Sequence, residues 1–139
     1  MQLETFIHDD MPEEAKRVRE AVFVEEQGFE NEFDDMDERC RHIVGYIDKK
    51  PVATCRFMAT WGESIIGRLA VLPEYRGLGI GAILMSVAEK AILKLGGSLI
   101  CIHAQEHAVS FYEKCGFTAT PRIIYVDGGP HIVMYKKLR

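Results

Sequence analysis

The four cysteines, Cys40, Cys55, Cys101 and Cys115, are too widely spaced to form a Cys-x-x-Cys pair. The usual sign of a zinc ribbon or a dithiol redox couple is therefore missing, and free, mostly buried thiols are expected. Basic excess is also missing: Lys+Arg 17 against Asp+Glu 21 leaves a formal charge of −4, with the cations scattered. A dedicated nucleic-acid binder carries a basic stripe that displaces counterions from phosphates, so no nucleic-acid partner is expected. No apolar run approaches the ~18 residues that span a bilayer. Met1-Gln2-Leu3-Glu4-Thr5 places no basic segment ahead of an apolar one, so no leader or membrane partner is expected and the predicted location is cytoplasmic. Internal repeats, low-complexity tracts and linkers are absent, and residues 1–139 read as one domain.

What is present suffices for a core. With 139 residues, 47% of them hydrophobic, the chain can bury roughly two-thirds of the surface it exposes when unfolded. Leu3 to His8 reads as an opening strand. Asp9-Asp10 followed by Pro12-Glu13-Glu14 starts a helix with an acidic first turn. It runs to about Gln27, with Ala15, Val18, Ala21, Val22 and Phe23 on one face and Lys16, Arg17, Arg19 and Glu20 outside. Eight carboxylates lie between Glu25 and Glu38 with little periodicity, as expected of a solvated loop or short helix.

Strands from His42 to Ile47, Val52 to Thr60 and Ile65 to Leu72 are separated by tight turns, which predicts an antiparallel meander. Ile80, Ile83, Leu84, Val87, Ala88, Ala91, Ile92 and Leu95 then recur at helical spacing, and Gly96-Gly97 stops the helix. Leu99 to Ile102 is a short apolar run suited to a strand covered on both faces, and strand–helix–strand implies a parallel crossover. A last helix from about Glu106 to Cys115 precedes strands at Arg122 to Val126 and Ile132 to Lys136. The predicted class is α/β, with one mixed sheet.

Arg76-Gly77-Leu78-Gly79-Ile80-Gly81 joins a strand to the best helix. Glycine lets the backbone approach a ligand, and the unpaired amides of a first helical turn suit phosphate oxygens. Three other readings stand beside this one. The Walker form lacks Gly-Lys-Ser/Thr; a dinucleotide fingerprint is interrupted by Pro73 to Arg76 and lacks the acidic residue closing the next strand; and a glycine turn can serve packing alone.

Arg76-x-x-Gly79-x-Gly81, preceded by Val71-x-Pro73-x-Tyr75, resembles the Q/R-x-x-G-x-G/A pyrophosphate loop of the GNAT acetyltransferases. Downstream, Ala108-x-x-Phe111-Tyr112-x-Lys114-x-Gly116-Phe117 resembles that family's A-x-x-F-Y-x-K-x-G-F helix. Val22 to Gln27, the acidic loop and Pro130-His131 resemble the small bacterial ElaA/YjcF-like subgroup. The resemblance implies a mixed, twisted central sheet with helices on both faces and a central parallel strand pair that splays around acetyl-CoA. It implies transfer of acetyl to a primary amine of a small molecule or peptide by direct attack, without a metal. Many relatives pair as dimers, so a homodimer is one assembly it implies.

By the same resemblance, Arg76, Gly77, Leu78, Gly79, Ile80, Gly81 and Ala82 hold the pyrophosphate, and Leu69, Ala70 and Val71 pair with pantetheine. Gln105, Phe111 and Lys114 complete the cofactor contacts, although Gln105 stands where family members often carry Asn. Tyr112 matches the tyrosine that protonates the departing sulfur; a phenol titrating near ~10 can donate at neutral pH. Glu26 is the candidate base, and Glu26, Asp37, His42 and His131 are candidate acceptor contacts, with a water chain as the alternative base.

Other constellations are weaker. His103-Ala104-Gln105-Glu106-His107 spells H-x-x-E-H, but a strand ending at His103 denies it the shared helical face that zinc needs. The acidic loop lacks the alternating ligands and central glycine of a calcium loop. If it borders the acceptor, its field favours cationic amines. Cys101 and Cys115 read as structural thiols rather than acetyl-enzyme nucleophiles. An acyl-CoA-binding regulatory module without transferase activity stays open as the alternative function.

Overall fold

The structure is a computed structural model and describes residues 2–138. Seven strands form one sheet in the order β1-β2-β3-β4-β5-β7-β6. They are β1 Leu3–His8, β2 Arg41–Ile47, β3 Lys50–Met58, β4 Glu63–Val71, β5 Leu99–Gln105, β6 Thr118–Val126 and β7 Gly129–Lys137. The antiparallel meander occupies β1 to β4, and α2, Ile80–Lys94, carries the crossover to the parallel strand β5. A 3-10 turn at Glu106–Ala108 leads into α3, Val109–Lys114.

Alternation along the strands separates two cores. Ala53, Cys55 and Phe57 of β3 join Leu84, Met85, Ala88 and Ile92 of α2 in the larger core, with Leu69 and Val71 of β4 packed against it. Ala70 turns to the opposite face and packs with Val18, Val22 and Phe23 from the first helical segment. Helices therefore cover both faces of the sheet.

That first segment departs from a plain α-helix. The α1 helix, Glu13–Arg19, passes directly into a π-helix over Glu20–Glu26. The wider coil keeps Val18, Val22 and Phe23 on the sheet, and Gly28 leaves it at φ 77. Arg19, expected outside, is 1% exposed: it lies at the junction, and the acidic segment folds over it. That segment is correspondingly no solvated run. Glu32 and Asp37 are buried, and Asp34 caps a 3-10 turn at Asp35–Glu38.

The parallel pair separates abruptly. β4 and β5 pair only at Glu63–Leu99, Ser64–Ile100 and Ile65–Cys101. Beyond Ile65, β4 carries a bulge: Thr54 pairs with Ala70 and Arg56 with Gly67, leaving Arg68 and Leu69 against Cys55 alone. Arg68 adopts φ 52, a left-handed conformation that disfavours side chains other than glycine. An extra residue bends a strand and raises its twist, and here it turns the second half of β4 away from β5.

Candidate active site

Two cavities occupy the opened sheet. One is a groove of about 820 Å³ lined by Leu69, Ala70 and Val71 of β4, by Arg76, Gly77, Gly79, Ile80 and Gly81 of the glycine loop, and by Phe111 of α3. Gly77 and Gly79 both take φ 80, and α2 begins at Gly79 with no side-chain cap. The amides of its first turn thus face the groove without an acceptor from the helix itself. An added Cβ at Gly81 would stand 3.2 Å from Cζ of Phe111, a tight contact from which the ring would have to shift by a few tenths of an ångström. Past Ile65, β4 has no strand partner on its β5 side among the described residues.

Arg76 crosses this groove. Its Nη1 and Nη2 donate to Oε2 and Oε1 of Glu26 at 2.7 and 2.6 Å, while Nε donates to the Val71 carbonyl at 2.9 Å. The hydrogen bonds from Arg76 hold the Glu26 carboxyl below the usual carboxylate range, against a smaller effect of burial.

The second cavity, about 290 Å³, lies on the other side of the split. Cys101, His103 and Gln105, alternate residues of β5, face it, opposite Gly67 and Arg68 of the bulge. Its roof is aromatic: Phe29 lies 6.5 Å from Phe23 and 6.4 Å from His131 between ring centroids. Asp127, in the β6–β7 turn, fixes that roof by accepting from the Glu30 and Asn31 amides at 3.0 and 2.9 Å and from Nδ2 of Asn31 at 2.7 Å. Gln27, Leu69, His107, Ala108 and Tyr112 line both cavities and form the wall between them.

Under the second cavity lies a charge network. Arg19 donates from Nε to Glu32 at 2.8 Å and from Nη1 to Asp37 at 2.6 Å. Arg56 donates from Nη1 to Asp34 at 2.6 Å and to Asp37 at 2.8 Å. Arg68 reaches Oε2 of Glu32 at 3.1 Å and Oδ2 of Asp34 at 3.2 Å. Three arginines and three carboxylates balance, so Glu32, Asp34 and Asp37 project little net field. Burial opposes the ionised Asp37 carboxyl, but Arg19 and Arg56 prevail and hold it down at about 2. For Glu32 burial prevails and raises the carboxyl despite Arg19 and Arg68.

Proton donors and acceptors differ across the shared wall. Tyr112 sits edge-on to Phe111 and Phe117, and burial pushes its phenol well above the usual range. His103 is held below the usual imidazole value, first by burial and then by His131 and Arg122. Burial also raises the Cys101 and Cys115 thiols and pushes Cys55 up to about 12, which leaves little thiolate at neutral pH.

Of the expected cofactor contacts, Leu69, Ala70, Val71, Arg76, Gly77, Gly79, Ile80, Gly81 and Phe111 line the large groove. Leu78 and Lys114 are exposed, and neither they nor Ala82 line it. Gln105 faces the smaller cavity, where its Nε2 donates to Oε1 of Gln27 at 2.9 Å. Among the expected acceptor contacts, His131 lines the smaller cavity, while Asp37 and His42 lie beneath it. Asp37 is spent on the arginines, and His42, 1% exposed, uses Nε2 on the Asp37 carbonyl at 2.9 Å. Glu26 lines the groove, clamped by Arg76, and not the smaller cavity. Sequence reasoning missed His103, Arg56 and Arg68; a charge inside the buried run Val52–Phe57 was the available signal for Arg56. His103 lies in β5 and His107 in the following 3-10 turn, so the H-x-x-E-H spelling shares no helical face.

A sheet split beside an uncapped glycine-led helix thus carries two adjoining cavities that share a wall at Tyr112. The profile of the acetyltransferase (GNAT) domain matches residues 7–138, and the chain belongs to the GNAT acetyltransferase family. It is 36% identical to the uncharacterized N-acetyltransferase YjcF of Bacillus subtilis, over 93% of this chain and 94% of that protein. The crystal structure of Escherichia coli ElaA superposes with a TM-score of 0.82 at 27% identity, covering 97% of this chain and 98% of that one. A Bacillus subtilis acetyltransferase in complex with CoA has the same fold, with a TM-score of 0.77 at 18% identity over 99% of this chain and 100% of that one.

Proposed function

We propose that the protein transfers the acetyl group of acetyl-CoA to a primary amine of a small molecule or peptide, by direct attack while both substrates are bound. The observation that carries this reading is the shared wall. The groove suits a pyrophosphate at the α2 N-terminus and pantetheine along the unpaired edge of β4, and it meets the smaller cavity at Tyr112. The CoA bound by the same-fold acetyltransferase from Bacillus subtilis supports the cofactor assignment.

Acetyl-CoA supplies the activated acyl group, and the chain supplies position and protons. Held in the smaller cavity, the amine nitrogen bonds to the acetyl carbon as the carbon–sulfur bond breaks. His103, neutral at pH 7, accepts the proton that becomes acidic on the attacking nitrogen. Tyr112, protonated at that pH, gives its own to the departing sulfur. The His103 proton then returns to Tyr112 through water, which closes the balance. Glu26 has a different part: as the partner of Arg76 it must yield or re-form when an anionic pyrophosphate enters.

The test is free-thiol release from acetyl-CoA against a panel of amines and peptides. Release that depends on the acceptor is expected. CoA binding without release toward any amine would favour an acyl-CoA-binding regulatory module.

A further inference from the structure

We propose that the smaller cavity recognises a carboxylate on the acceptor, so that the substrate is an amino acid or an amine of that class rather than a polyamine. The inference rests on the transfer reading above, while the groups that would bind the carboxylate belong to the cavity alone.

Three observations converge there. First, Arg56 lines the cavity and is 6% exposed, yet its Nε is buried without a hydrogen-bond partner among the described residues. A buried N–H left unmade is costly, and native structures rarely keep one without a reason. The neighbouring wall is Gly67, where an added Cβ would meet that nitrogen at 3.9 Å in ordinary contact, so an acceptor oxygen reaches Nε only where this side-chain-free wall yields. Second, the chain tolerates a left-handed backbone at Arg68, a position where glycine would relieve the strain. The result is a half-buried guanidinium on the cavity wall next to Arg56. Third, the cavity's carboxylates are already engaged: Asp127 spends both oxygens on the Glu30–Asn31 segment, and Glu32 is tied to Arg19 and Arg68.

The charge of Arg68 is disfavoured first by burial and also by Arg56 and Arg19, despite Glu32 and Asp34, so an arriving anion would relieve it. A guanidinium pairs with a planar carboxylate in a fixed geometry. Glu32 and Asp127 on the same walls disfavour a doubly charged phosphate. The aromatic roof of Phe23, Phe29 and His131 would cover the acceptor's apolar part.

The experiment uses the CoA-loaded protein and reads acceptor binding by NMR titration. Glycine, alanine, leucine, phenylalanine, lysine and γ-aminobutyrate are each set against their own carboxamide and their decarboxylated amine. At least one acid is expected to bind ten-fold or more tightly than both of its counterparts, with the gap closed in Arg68→Gln and partly restored in Arg68→Lys. Equal or tighter binding of the amide or amine in every set overturns the proposal, a result that needs no variant to fold. Thiol release with the same compounds reports separately on chemistry. Release without preference for acids defeats this proposal alone; preferential binding of an acid without release defeats the transfer reading alone.

Discussion

At the scale of single residues, the proposed mechanism gives Tyr112 to the chemistry and Glu26 to the binding. Loss of a positioned general acid costs about 10²–10⁴ in rate. Tyr112→Phe is therefore expected to lower kcat by at least about ten-fold while CoA affinity, read by calorimetry, stays put; undiminished turnover would remove the acid role. Glu26→Gln frees Arg76 and deletes a negative charge from the groove, and is expected to tighten CoA several-fold. A fall in kcat at unchanged CoA affinity would instead make Glu26 the base. His103 titrates below ~6.5, so kcat/KM should fall as pH drops through that region. His131, Arg122 and Glu63 face it, and His103→Gln should remove the acidic limb.

Tyr112 was legible because a motif fixes its place on a helix. The charge network was not, because Arg19 finds Glu32 and Asp37 only across 13 and 18 residues, after the π-helix and the acidic segment have closed over it. Phe33 then lies 4.8 Å from its guanidinium and completes the cover.

At the scale of elements, the site depends on two local departures from ideal geometry, the β4 bulge and the left-handed start of α2. Periodicity revealed the meander, the crossover and the long helix, since each buries a continuous apolar face. The bulge and the π-helix left no such trace. An inserted residue at Arg68 changes pairing without changing composition, and the apolar positions Val18, Val22 and Phe23 also fit one face of a plain α-helix. Gly79 has nothing within 4 Å of an added Cβ, so Gly79→Ala acts through φ 80 alone. That conformation costs an L-residue roughly 1–2 kcal/mol. If strain is relieved by rotating the first-turn amides, CoA should bind about ten-fold more weakly to a folded protein; unchanged affinity in a folded variant would count against the amide cradle.

At the scale of the whole molecule, the network ties the first helical segment, the acidic loop, β3 and β4 into one unit under the smaller cavity. Arg19→Met strands Glu32 and Asp37 with one arginine each. Breaking a buried pair costs about 3–5 kcal/mol, to be read as a lower urea midpoint. A loss below about 1 kcal/mol would show that the loop contributes little to the fold. Acid should act in two stages. His42 is held low by burial, so its share of stability is complete above its unfolded value of ~6.5 and lost as pH falls below it. Asp37 is held at about 2; its share is complete above the unfolded ~3.9 and lost as pH falls from about 4 toward 2. Glu32, raised by burial, runs the other way and loses its share as pH rises through its folded value. Chemical denaturation across this range should show both declines.

The central claim is that donor and acceptor occupy adjoining cavities at the same time and react across Tyr112. Initial rates measured with acetyl-CoA and an accepted amine varied together test it most directly. Intersecting reciprocal plots, with no acetylated protein in mass spectra of enzyme and acetyl-CoA alone, are expected. Parallel plots with an acetyl group trapped on Cys101 or Cys115 would contradict the account.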